Sequence, residues 1–322
     1  CLFVAHPIHT EVVANIKSRD ELLALLFGLL ALHFLHQRLR SQKLSPLIFS
    51  LLAYTAALFS KEGAVTFLAV FPLFLYFFTK EKNASILRLS ALYLLPVLVF
   101  MLARYAVLGT FGGIETEISQ LDNYLAHLPL GERLASATLI SGMYLFKLLL
   151  PHPLFSDLGY PAIPTVGFGH PGALIVLLLW LALLGVAIKG FRKKSIWSFS
   201  ILYYLITFSI VSNWLLLIGS SYGERFLYAP SLGFCLALAA GLQLLSQKGA
   251  DASDLRSFFR GARLPSIALL LIVGLYSLKT LQRHPAWQDS LTLYATDAPR
   301  APDCAKLRYH YGLELNKGSE EA

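Results

Sequence analysis

The sequence predicts an all-α, polytopic helical membrane protein. Hydrophobic residues make up 56% of its 322 residues and charged residues only 14%, whereas a soluble domain carries about 25% charged residues. The apolar residues are gathered into runs that approach the roughly 20 residues a helix needs to cross a bilayer. These runs lack the strict polar and apolar alternation of transmembrane β-strands, which argues against a barrel.

Eight membrane spans are predicted in chain order, at about 21–37, 46–60, 63–79, 86–108, 172–190, 195–218, 226–245 and 265–282. Lysine and arginine concentrate in four short loops, at 38–45, 80–88, 189–194 and 246–264. The positive-inside bias places these loops in the cytoplasm. Each span carries the chain to the other side of the membrane. Counting spans from these loops therefore predicts the non-cytoplasmic side for 1–20, 60–63, 109–171, 219–225 and everything after 283.

One further apolar stretch, 134–150, would break this parity if it crossed the membrane. We therefore expect a re-entrant or interfacial helix there, since irregular backbone at membrane depth is tolerated where it lines a protein cavity. Pro151 and Pro153 predict that the helix ends just before them, because proline disfavours helix in the preceding residue and removes a backbone donor.

The chain changes character after the last span. Residues 1–282 are predicted to form a membrane-embedded domain and 283–322 the start of a second, non-cytoplasmic region. An amphipathic helix opens near Trp287, is interrupted by Pro299 and Pro302, and is followed by a second helix with Leu307 and Tyr311 on one face. Such a helix pair cannot bury its apolar face alone, so further repeats are expected beyond it.

The formal charge of +8 does not indicate nucleic-acid binding, because the basic residues lie in short loops without interleaved aromatic residues. The three cysteines, Cys1, Cys235 and Cys304, lack metal-ligand spacing. Cys235 lies in an apolar run and is predicted to be a small buried hydrophobe. Composition therefore indicates membrane lipids as the surroundings, and the cysteines predict no metal centre.

Four compact polar clusters stand at the ends of predicted spans. They are His6-Pro7-Ile8-His9-Thr10-Glu11, Lys17-Ser18-Arg19-Asp20-Glu21, Ser60-Lys61-Glu62-Gly63 and Tyr222-Gly223-Glu224-Arg225. A charge beside a bilayer is costly, so it usually has a function. The predicted topology puts all four clusters on the non-cytoplasmic face, which favours a single site.

The first cluster has three interpretations. His6, His9 and Glu11 supply two imidazoles and a carboxylate, a possible metal-ligand set. They also suit recognition of sugar hydroxyls combined with acid–base chemistry, which is the interpretation we favour. The alternative is a polar cap on the next helix, with Thr10 at its start.

The other clusters supply candidate phosphate ligands. Ser18 and Glu21 fit a capping box, which leaves Arg19 either to bind a phosphate or to reach lipid headgroups. Lys61 would neutralise a lipid phosphate and Glu62 would orient it, unless both belong to an ordinary exposed turn.

Glu224 and Arg225 begin a span, and Arg225 is again a phosphate candidate. Arg104 is a weaker one. The loop carboxylates Asp157, Glu115 and Glu117 are expected to be solvated rather than catalytic.

Several of these strings together resemble the transmembrane and tetratricopeptide-repeat O-mannosyltransferases and their bacterial relatives, within the GT-C glycosyltransferases. They are Ala5 to Glu11, Ser18 to Leu23, Ser60 to Gly63, Glu224 to Cys235, Tyr144 to Pro164, Ser277 to Thr280 and Trp287 to Gly312. The resemblance covers nearly the whole chain in order.

The resemblance implies a GT-C-like fold and an enzyme that moves a sugar from a polyprenyl-phosphate carrier to Ser or Thr of an acceptor protein. It implies that the main acidic base lies in a loop before Cys1, with Glu11 in support, and that the last region begins a tetratricopeptide-repeat array. The sugar would be mannose or similar, no cofactor is predicted, and a divalent metal stays open.

Short loops favour a bacterial inner membrane over the endoplasmic reticulum. The main alternative function is a non-catalytic membrane scaffold that presents the repeats. A transporter is disfavoured, because we find neither an inverted repeat nor a charged residue at mid-span depth.

Overall fold

The computed structural model describes residues 1–111, 118–244 and 263–320, and every regular element in these ranges is helical. The α-helices are α1 (Leu2–Ala5), α2 (Thr10–Ala14), α3 (Arg19–Ser41), α4 (Leu44–Ser60), α5 (Phe67–Phe78), α6 (Asn83–Ala91), α7 (Leu94–Leu108), α8 (Leu130–Leu149), α9 (Pro171–Phe191), α10 (Ile196–Phe208), α11 (Tyr228–Leu244), α12 (Arg263–Arg283), α13 (Ser290–Asp297) and α14 (Ala305–Glu320). Short 3₁₀ helices occupy Pro7–His9, Ile16–Ser18, Glu62–Thr66, Tyr124–His127, Glu224–Leu227, His284–Trp287 and Ala298–Arg300. The predicted all-α class is confirmed.

The helices also confirm a multi-pass membrane protein. Within the described ranges, five helical stretches are long and apolar enough to span a bilayer: Ile16–Ser41, Asn83–Leu108, Pro171–Phe191, Glu224–Leu244 and Pro265–Trp287. Three shorter apolar helical stretches are Leu44–Ser60, Glu62–Phe78 and Ile196–Phe208. Each of the eight predicted spans overlaps one of these stretches.

The predicted span 195–218 was too long, because its helix ends at Phe208. Asn213 adopts a left-handed backbone conformation, with φ of 58°. Its side-chain oxygen accepts hydrogen bonds from the Asn123 amide (2.9 Å) and from the backbone N–H of Ile218 (3.2 Å). Ser and Asn side chains compete for backbone partners in this way, which ends a helix that apolar composition alone would continue.

Two hydrophobic clusters organise the helices. One joins α3, α4 and α5 to α10, and includes the stacked rings of Phe71 and Tyr93, whose centroids are 3.7 Å apart. The other joins α8 to α9, to the loop after α8 and to the C-terminal helices. In this second cluster Tyr144 stacks on Tyr222 at 4.6 Å, and both rings are buried. The C-terminal segment therefore shares a core with the membrane helices.

The close packing of α11 against α10 depends on Gly233. A Cβ atom at Gly233 would lie 2.6 Å from the backbone oxygen of Ser200 on α10. Small residues at such contacts let two helix backbones approach closely. Since α11 begins three residues after Arg225, this contact also fixes the position of that arginine.

Helix α8 corresponds to the predicted stretch 134–150 and ends before Pro151 as expected, although it begins four residues earlier, at Leu130. At 20 residues it is long enough to cross a bilayer, but it carries Glu132, Arg133 and Lys147 and is not among the helices apolar enough to do so. Its sidedness stays a prediction.

After the last candidate span, α13 and α14 form the predicted helix pair, and Tyr294 stacks on His310 with ring centroids 5.2 Å apart. Residues 246–262 of the predicted cytoplasmic loop lie outside the described residues, as do Glu115 and Glu117.

Candidate functional site

A polar cavity of about 290 Å³ lies where the ends of several candidate spans meet the C-terminal segment. At least one residue from each of the four predicted clusters lines it. The lining residues are Glu11, Asn15, Lys17, Ser18, Asp20, Lys61, Ser156, Asp157, Arg225, Trp287, Leu293, Tyr294, Lys306, Leu307 and His310.

Glu11 and Arg225 form the centre of the membrane side of this cavity. The Glu11 carboxylate accepts two hydrogen bonds from Arg225, one from the backbone N–H to Oε2 (2.9 Å) and one from Nη1 to Oε1 (2.8 Å). The Glu11 side chain is only 2% exposed. Burial raises the pKa of Glu11, and the charge of Arg225 opposes that rise. This pairing holds the guanidinium in one orientation.

The Arg225 side chain keeps 26% of its surface exposed. Its guanidinium carbon lies 4.7 Å from the centre of the Phe226 ring. Of the side-chain nitrogens of Arg225, only Nη1 makes a hydrogen bond to another described residue. Arginine carries five side-chain N–H donors in a planar fork. Several donors therefore remain to bind a ligand in the cavity.

Lys61 is the second cation of the membrane side. Its Nζ lies 2.6 Å from Glu21 Oε1 and 3.1 Å from Asp20 Oδ2, at the start of α3. Burial lowers the pKa of Lys61, but the two carboxylates more than reverse this, so its pKa is raised. Lys61 is therefore a fixed positive charge. Its neighbour Glu62 is exposed and does not line the cavity.

An apolar groove adjoins the cavity at Lys61. Besides Lys61 and Glu21, its lining is mainly apolar and comes from α3, from residues 63–67, from α10 and its following turn, and from α11. The polar cavity and the apolar groove share Lys61. The junction suits a ligand with a charged group on one side and a hydrocarbon chain on the other.

His6 and His9 lie beside the cavity but do not line it. The Nε2 atom of His6 is 3.0 Å from the backbone oxygen of Leu148, and that of His9 is 2.8 Å from the hydroxyl of Ser231. Burial lowers the pKa of His6 to about 4 and, together with the charge of His6, that of His9 to about 3. Both are neutral near pH 7 and tie the 6–11 segment to α8 and α11.

Arg19 and Glu224 are also placed away from the cavity lining. Arg19 is exposed at the first position of α3. Glu224 is 3% exposed, and its Oε1 accepts the backbone N–H of Phe155 at 2.8 Å. Of the eight predicted binding residues, the lining therefore contains Glu11, Lys61 and Arg225. In the described parts of the chain, no group of three potential ligand residues is placed to hold a metal ion.

The sequence interpretation missed the opposite wall of the cavity. Asp157, expected to be solvated, has a side chain only 14% exposed and lies beside Lys306, whose Nζ is 2.7 Å from its Oδ2. Burial raises the pKa of Asp157, while Lys306 opposes the rise. The two residues are 149 positions apart, and no local spacing links them. Two signals were available: both segments were predicted to lie on the same face as the four clusters, and both fall within strings that carry the family resemblance.

The cavity thus combines three fixed cations, each already paired with a carboxylate, with polar and aromatic side chains from the C-terminal segment. Such a set can hold an anion between Arg225, Lys61 and Lys306, because charge-assisted hydrogen bonds in a partly dry site are strong. The carboxylates can accept hydrogen bonds from hydroxyl groups. The arrangement suits a phosphorylated, hydroxyl-rich ligand.

Comparison with known proteins points to one group of relatives. The chain is 30% identical over 319 residues to a protein O-mannosyl-transferase of Caenorhabditis elegans, covering 98% of this chain and 42% of that protein. It is 26% identical to protein O-mannosyl-transferase TMTC3 of Homo sapiens, covering all of this chain and 37% of that protein. It is 25% identical to protein O-mannosyl-transferase TMTC4 of Homo sapiens, covering all of this chain and 47% of that protein.

The chain is therefore distantly homologous, along its full length, to these protein O-mannosyl-transferases. It spans less than half the length of each of these three relatives. No model of a protein family and no solved structure matches it.

Proposed function

We propose that this chain is the membrane portion of a GT-C glycosyltransferase that moves mannose or a similar hexose from a polyprenyl-phosphate carrier to Ser or Thr of an acceptor protein. The observation that carries the proposal is the position of Arg225 and Lys61 in one polar cavity that adjoins an apolar groove. The names of the curated relatives support it. The reaction takes place on the non-cytoplasmic face, in the inner membrane if the source is bacterial and in the endoplasmic reticulum if it is eukaryotic.

In this proposal Arg225 and Lys61 bind the carrier phosphate. Negative charge grows on that phosphate as the bond to the sugar breaks. Cations that are already oriented stabilise this charge without reorganising during the reaction. They accelerate transfer because they interact more strongly with the transition state than with the intact donor. Glu11 and Glu21 hold the two cations in place.

Glu11 is a supporting residue in this mechanism rather than the general base. Both of its carboxylate oxygens already accept hydrogen bonds from Arg225. A base must reach the proton of the acceptor hydroxyl, and an oxygen that already accepts a charge-assisted bond is a weak candidate. Glu11 instead fixes the direction of the guanidinium.

The apolar groove beside Lys61, with about 40 Å³ of open space, contacts the start of the carrier's hydrocarbon chain where it leaves the phosphate. Its lining includes Ala24, Leu25, Phe67 and Phe226. Burial of apolar surface there contributes binding energy that is equal in the ground state and the transition state. It therefore anchors the donor without accelerating the chemical step.

The region after residue 283 begins a tetratricopeptide-repeat array that presents the acceptor protein. The paired helices α13 and α14 support this, and their residues Tyr294, Lys306 and His310 line the cavity. A membrane scaffold without catalytic activity is the competing function, and the transfer assay decides between the two.

The test is Arg225→Lys in the complete natural protein, assayed in washed membranes with labelled polyprenyl-phosphate mannose and an acceptor protein. Lysine keeps the charge beside Glu11 but loses the planar fork. We expect kcat to fall about tenfold, less than the roughly 10²–10³-fold loss typical of removing a transition-state donor completely. Arg225→Ala is a poorer test, since it leaves the buried Glu11 without its partner.

The matched control is Arg40→Lys, an exposed arginine near the opposite end of α3, which should transfer sugar at the wild-type rate. Unchanged kcat in well-expressed Arg225→Lys and Arg225→Ala would remove this arginine from the mechanism. A wild-type protein that transfers no sugar from mannose, glucose or N-acetylhexosamine carriers would favour the scaffold.

A further inference from the structure

A lateral groove lies between the end of α8, α11 and α12, apart from the polar cavity. It encloses about 460 Å³, and most of its lining is apolar, including Leu149, Leu150, Phe234 and Leu275. It shares no lining residue with the polar cavity or with the apolar groove beside Lys61. Three of its leucines, Leu149, Leu150 and Leu275, are each more than half exposed. Exposed apolar side chains on candidate membrane helices indicate contact with lipid, so the groove opens toward the bilayer.

Contacts between helices fix the walls of the lateral groove. The Tyr276 hydroxyl of α12 donates a hydrogen bond to the backbone oxygen of Leu148 on α8 at 3.0 Å. Phe234 and Leu238 of α11 share a hydrophobic cluster with Ile272 of α12. The groove is therefore set by the packing of three helices rather than by the rotamers of a few surface side chains.

Positive charge without a counter-charge gathers at one end of the lateral groove. Lys279 lines the groove about one turn before the end of α12. Arg300 belongs to the C-terminal segment and is exposed. In the described ranges, neither Lys279 nor Arg300 forms an ion pair with a carboxylate. The carboxylate of Asp297 is already bound to Arg283. A concave surface with uncompensated charge of one sign attracts a ligand of the opposite sign, here an anion.

His152 also lines the lateral groove and lies close to this charge. Partial burial and the charges of Lys279, Lys147 and Arg300 lower the pKa of His152. His152 is therefore neutral near pH 7 and keeps one ring N–H as a hydrogen-bond donor. Lys147 is buried, and Glu224 offsets part of its charge. This leaves Lys279 and Arg300 as the two cations of the groove that can meet a ligand.

We propose that the lateral groove binds an anionic phospholipid of the bilayer, with its phosphate at Lys279, Arg300 and His152 and an acyl chain along the apolar walls. Charge-assisted hydrogen bonds from lysine and arginine to phosphate oxygens are short and strong. A zwitterionic headgroup would bring its own ammonium group beside these cations, so it binds less well.

The position of the groove favours a bilayer phospholipid over the polyprenyl carrier. The groove opens to the surrounding lipid, and it shares no residue with the cavity to which the carrier phosphate is assigned. The inference goes beyond the proposed glycosyltransferase function and stands without it.

The test uses the complete protein in detergent micelles that contain phosphatidylglycerol with a photoreactive diazirine in one acyl chain. Irradiation cross-links the bound lipid, and mass spectrometry maps the labelled peptides. We expect saturable labelling of the peptides that line the lateral groove, with competition by unlabelled phosphatidylglycerol but not by phosphatidylcholine. Lys279→Gln and Arg300→Gln should each raise the half-saturating lipid fraction about fivefold, because one basic residue strengthens binding to anionic lipid by about that factor.

The matched control is the double variant Lys189→Gln, Arg192→Gln. It removes two exposed positive charges at the end of another candidate span, as Lys279→Gln, Arg300→Gln does here, but outside the lining of the lateral groove. Its half-saturating lipid fraction should match that of the wild type. Melting temperatures without added phosphatidylglycerol check folding. Arg300 is exposed, so Arg300→Gln still tests the inference if Lys279→Gln does not fold.

Four results would overturn the inference. Equal competition by phosphatidylcholine would mean that the groove takes up lipid without selecting its charge. Absence of labelling on the groove peptides would mean that another part of the complete protein covers them. Displacement by less polyprenyl phosphate than phosphatidylglycerol would assign the groove to the carrier. Unchanged half-saturation in folded glutamine variants would remove the two cations from the site. None of these measurements needs sugar transfer, so an inactive wild type would overturn the proposed function and leave this inference in place.

Discussion

Among the described residues, two arginine–carboxylate pairs have the same chemistry and different surroundings. Arg225 and Glu11 meet at 2.8 Å, and Arg283 and Asp297 meet at 2.5 and 2.8 Å. Both arginines stand at the end of a candidate span. The side chain of Arg283 is 4% exposed and that of Asp297 is 0% exposed, whereas Arg225 remains 26% exposed toward the cavity.

We call Arg283 with Asp297 the closed pair and Arg225 with Glu11 the open pair. The two pairs differ in whether the arginine can still donate hydrogen bonds to a ligand. The Asp297 carboxylate accepts two hydrogen bonds from Arg283 and one from the Ser156 N–H. Because this pair is buried, Arg283 cannot reach a ligand. Arg225 has one guanidinium nitrogen on Glu11 and the rest of its fork beside the cavity. An arginine at a span end is thus a candidate binding residue only when part of its donor set remains accessible.

The largest expected effect is on stability, from breaking the closed pair with Asp297→Ala. The change leaves Arg283 buried without a counter-charge and the Ser156 N–H without an acceptor. Losing one partner of a buried ion pair costs about 3–5 kcal/mol. Chemical denaturation of the detergent-solubilised protein should show a loss of this size. The control Glu314→Ala removes the partner of the exposed Lys317 and should leave the denaturation midpoint unchanged. A wild-type midpoint for Asp297→Ala would mean that the closed pair does not stabilise the fold.

A smaller effect is expected from acid, and it concerns the segment that carries the open pair. The folded-state pKa values of His6 and His9 are about 4 and about 3, against an ordinary value of 6.5. Below pH 6.5 these two histidines bind protons in the unfolded chain but not in the folded chain. The stability contributed by each neutral histidine therefore falls as the pH decreases, down to about pH 4 for His6 and pH 3 for His9.

At pH 5.5 this loss amounts to about 1.4 kcal/mol for each histidine and about 3 kcal/mol for both. Denaturation midpoints at pH 7.0 and 5.5 measure it. His9→Gln should lose about half of the pH dependence, while titration of Glu11 contributes similarly to both proteins and largely cancels. Equal pH dependence in wild type and His9→Gln would show that His9 is not held neutral.

The smallest expected effect tests the packing that positions the open pair. Gly233→Ala places a methyl group 2.6 Å from the Ser200 carbonyl oxygen, and overpacking of this kind costs about 1–3 kcal/mol. Gly274→Ala is the matched control, because a Cβ on this exposed helical position meets nothing within 4 Å. If both variants have the same melting temperature, α10 and α11 can separate without cost and Gly233 is not required.

Apolar composition was enough to predict the fold class and the approximate positions of the described apolar helices, because bilayer thickness fixes the length of an apolar helix. The sidedness predicted from loop charges stays a prediction. Composition failed at 209–218, where the polar side chains of Ser212 and Asn213 end a helix that apolar composition would extend. The interior of the site was less accessible. Glu224 and Arg225 are adjacent in sequence, yet one side chain holds a buried loop and the other lines the cavity.

Asp157 and Lys306 could not have been paired from the sequence. A local motif places side chains through helical spacing, whereas this contact depends on how the C-terminal helices pack on the loop after α8. The same limit applies to Arg283 and Asp297, which belong to different helices and carry no distinguishing pattern. Long-range pairs of this kind follow from tertiary packing, which composition and periodicity do not encode.

The hydrogen bond between Ser156 and Asp297 joins positions 141 residues apart, and this has a consequence for biogenesis. The ribosome delivers the chain from its N-terminus, so the loop that carries Asp157 leaves the exit tunnel long before its second carboxylate anchor exists. The helices that precede α13 can enter the bilayer one after another while this loop is still unfixed. Assembly of the cavity is therefore a late event in synthesis, and a ribosome stalled before Asp297 would hold an inserted protein whose Asp157 loop lacks one of its two anchors.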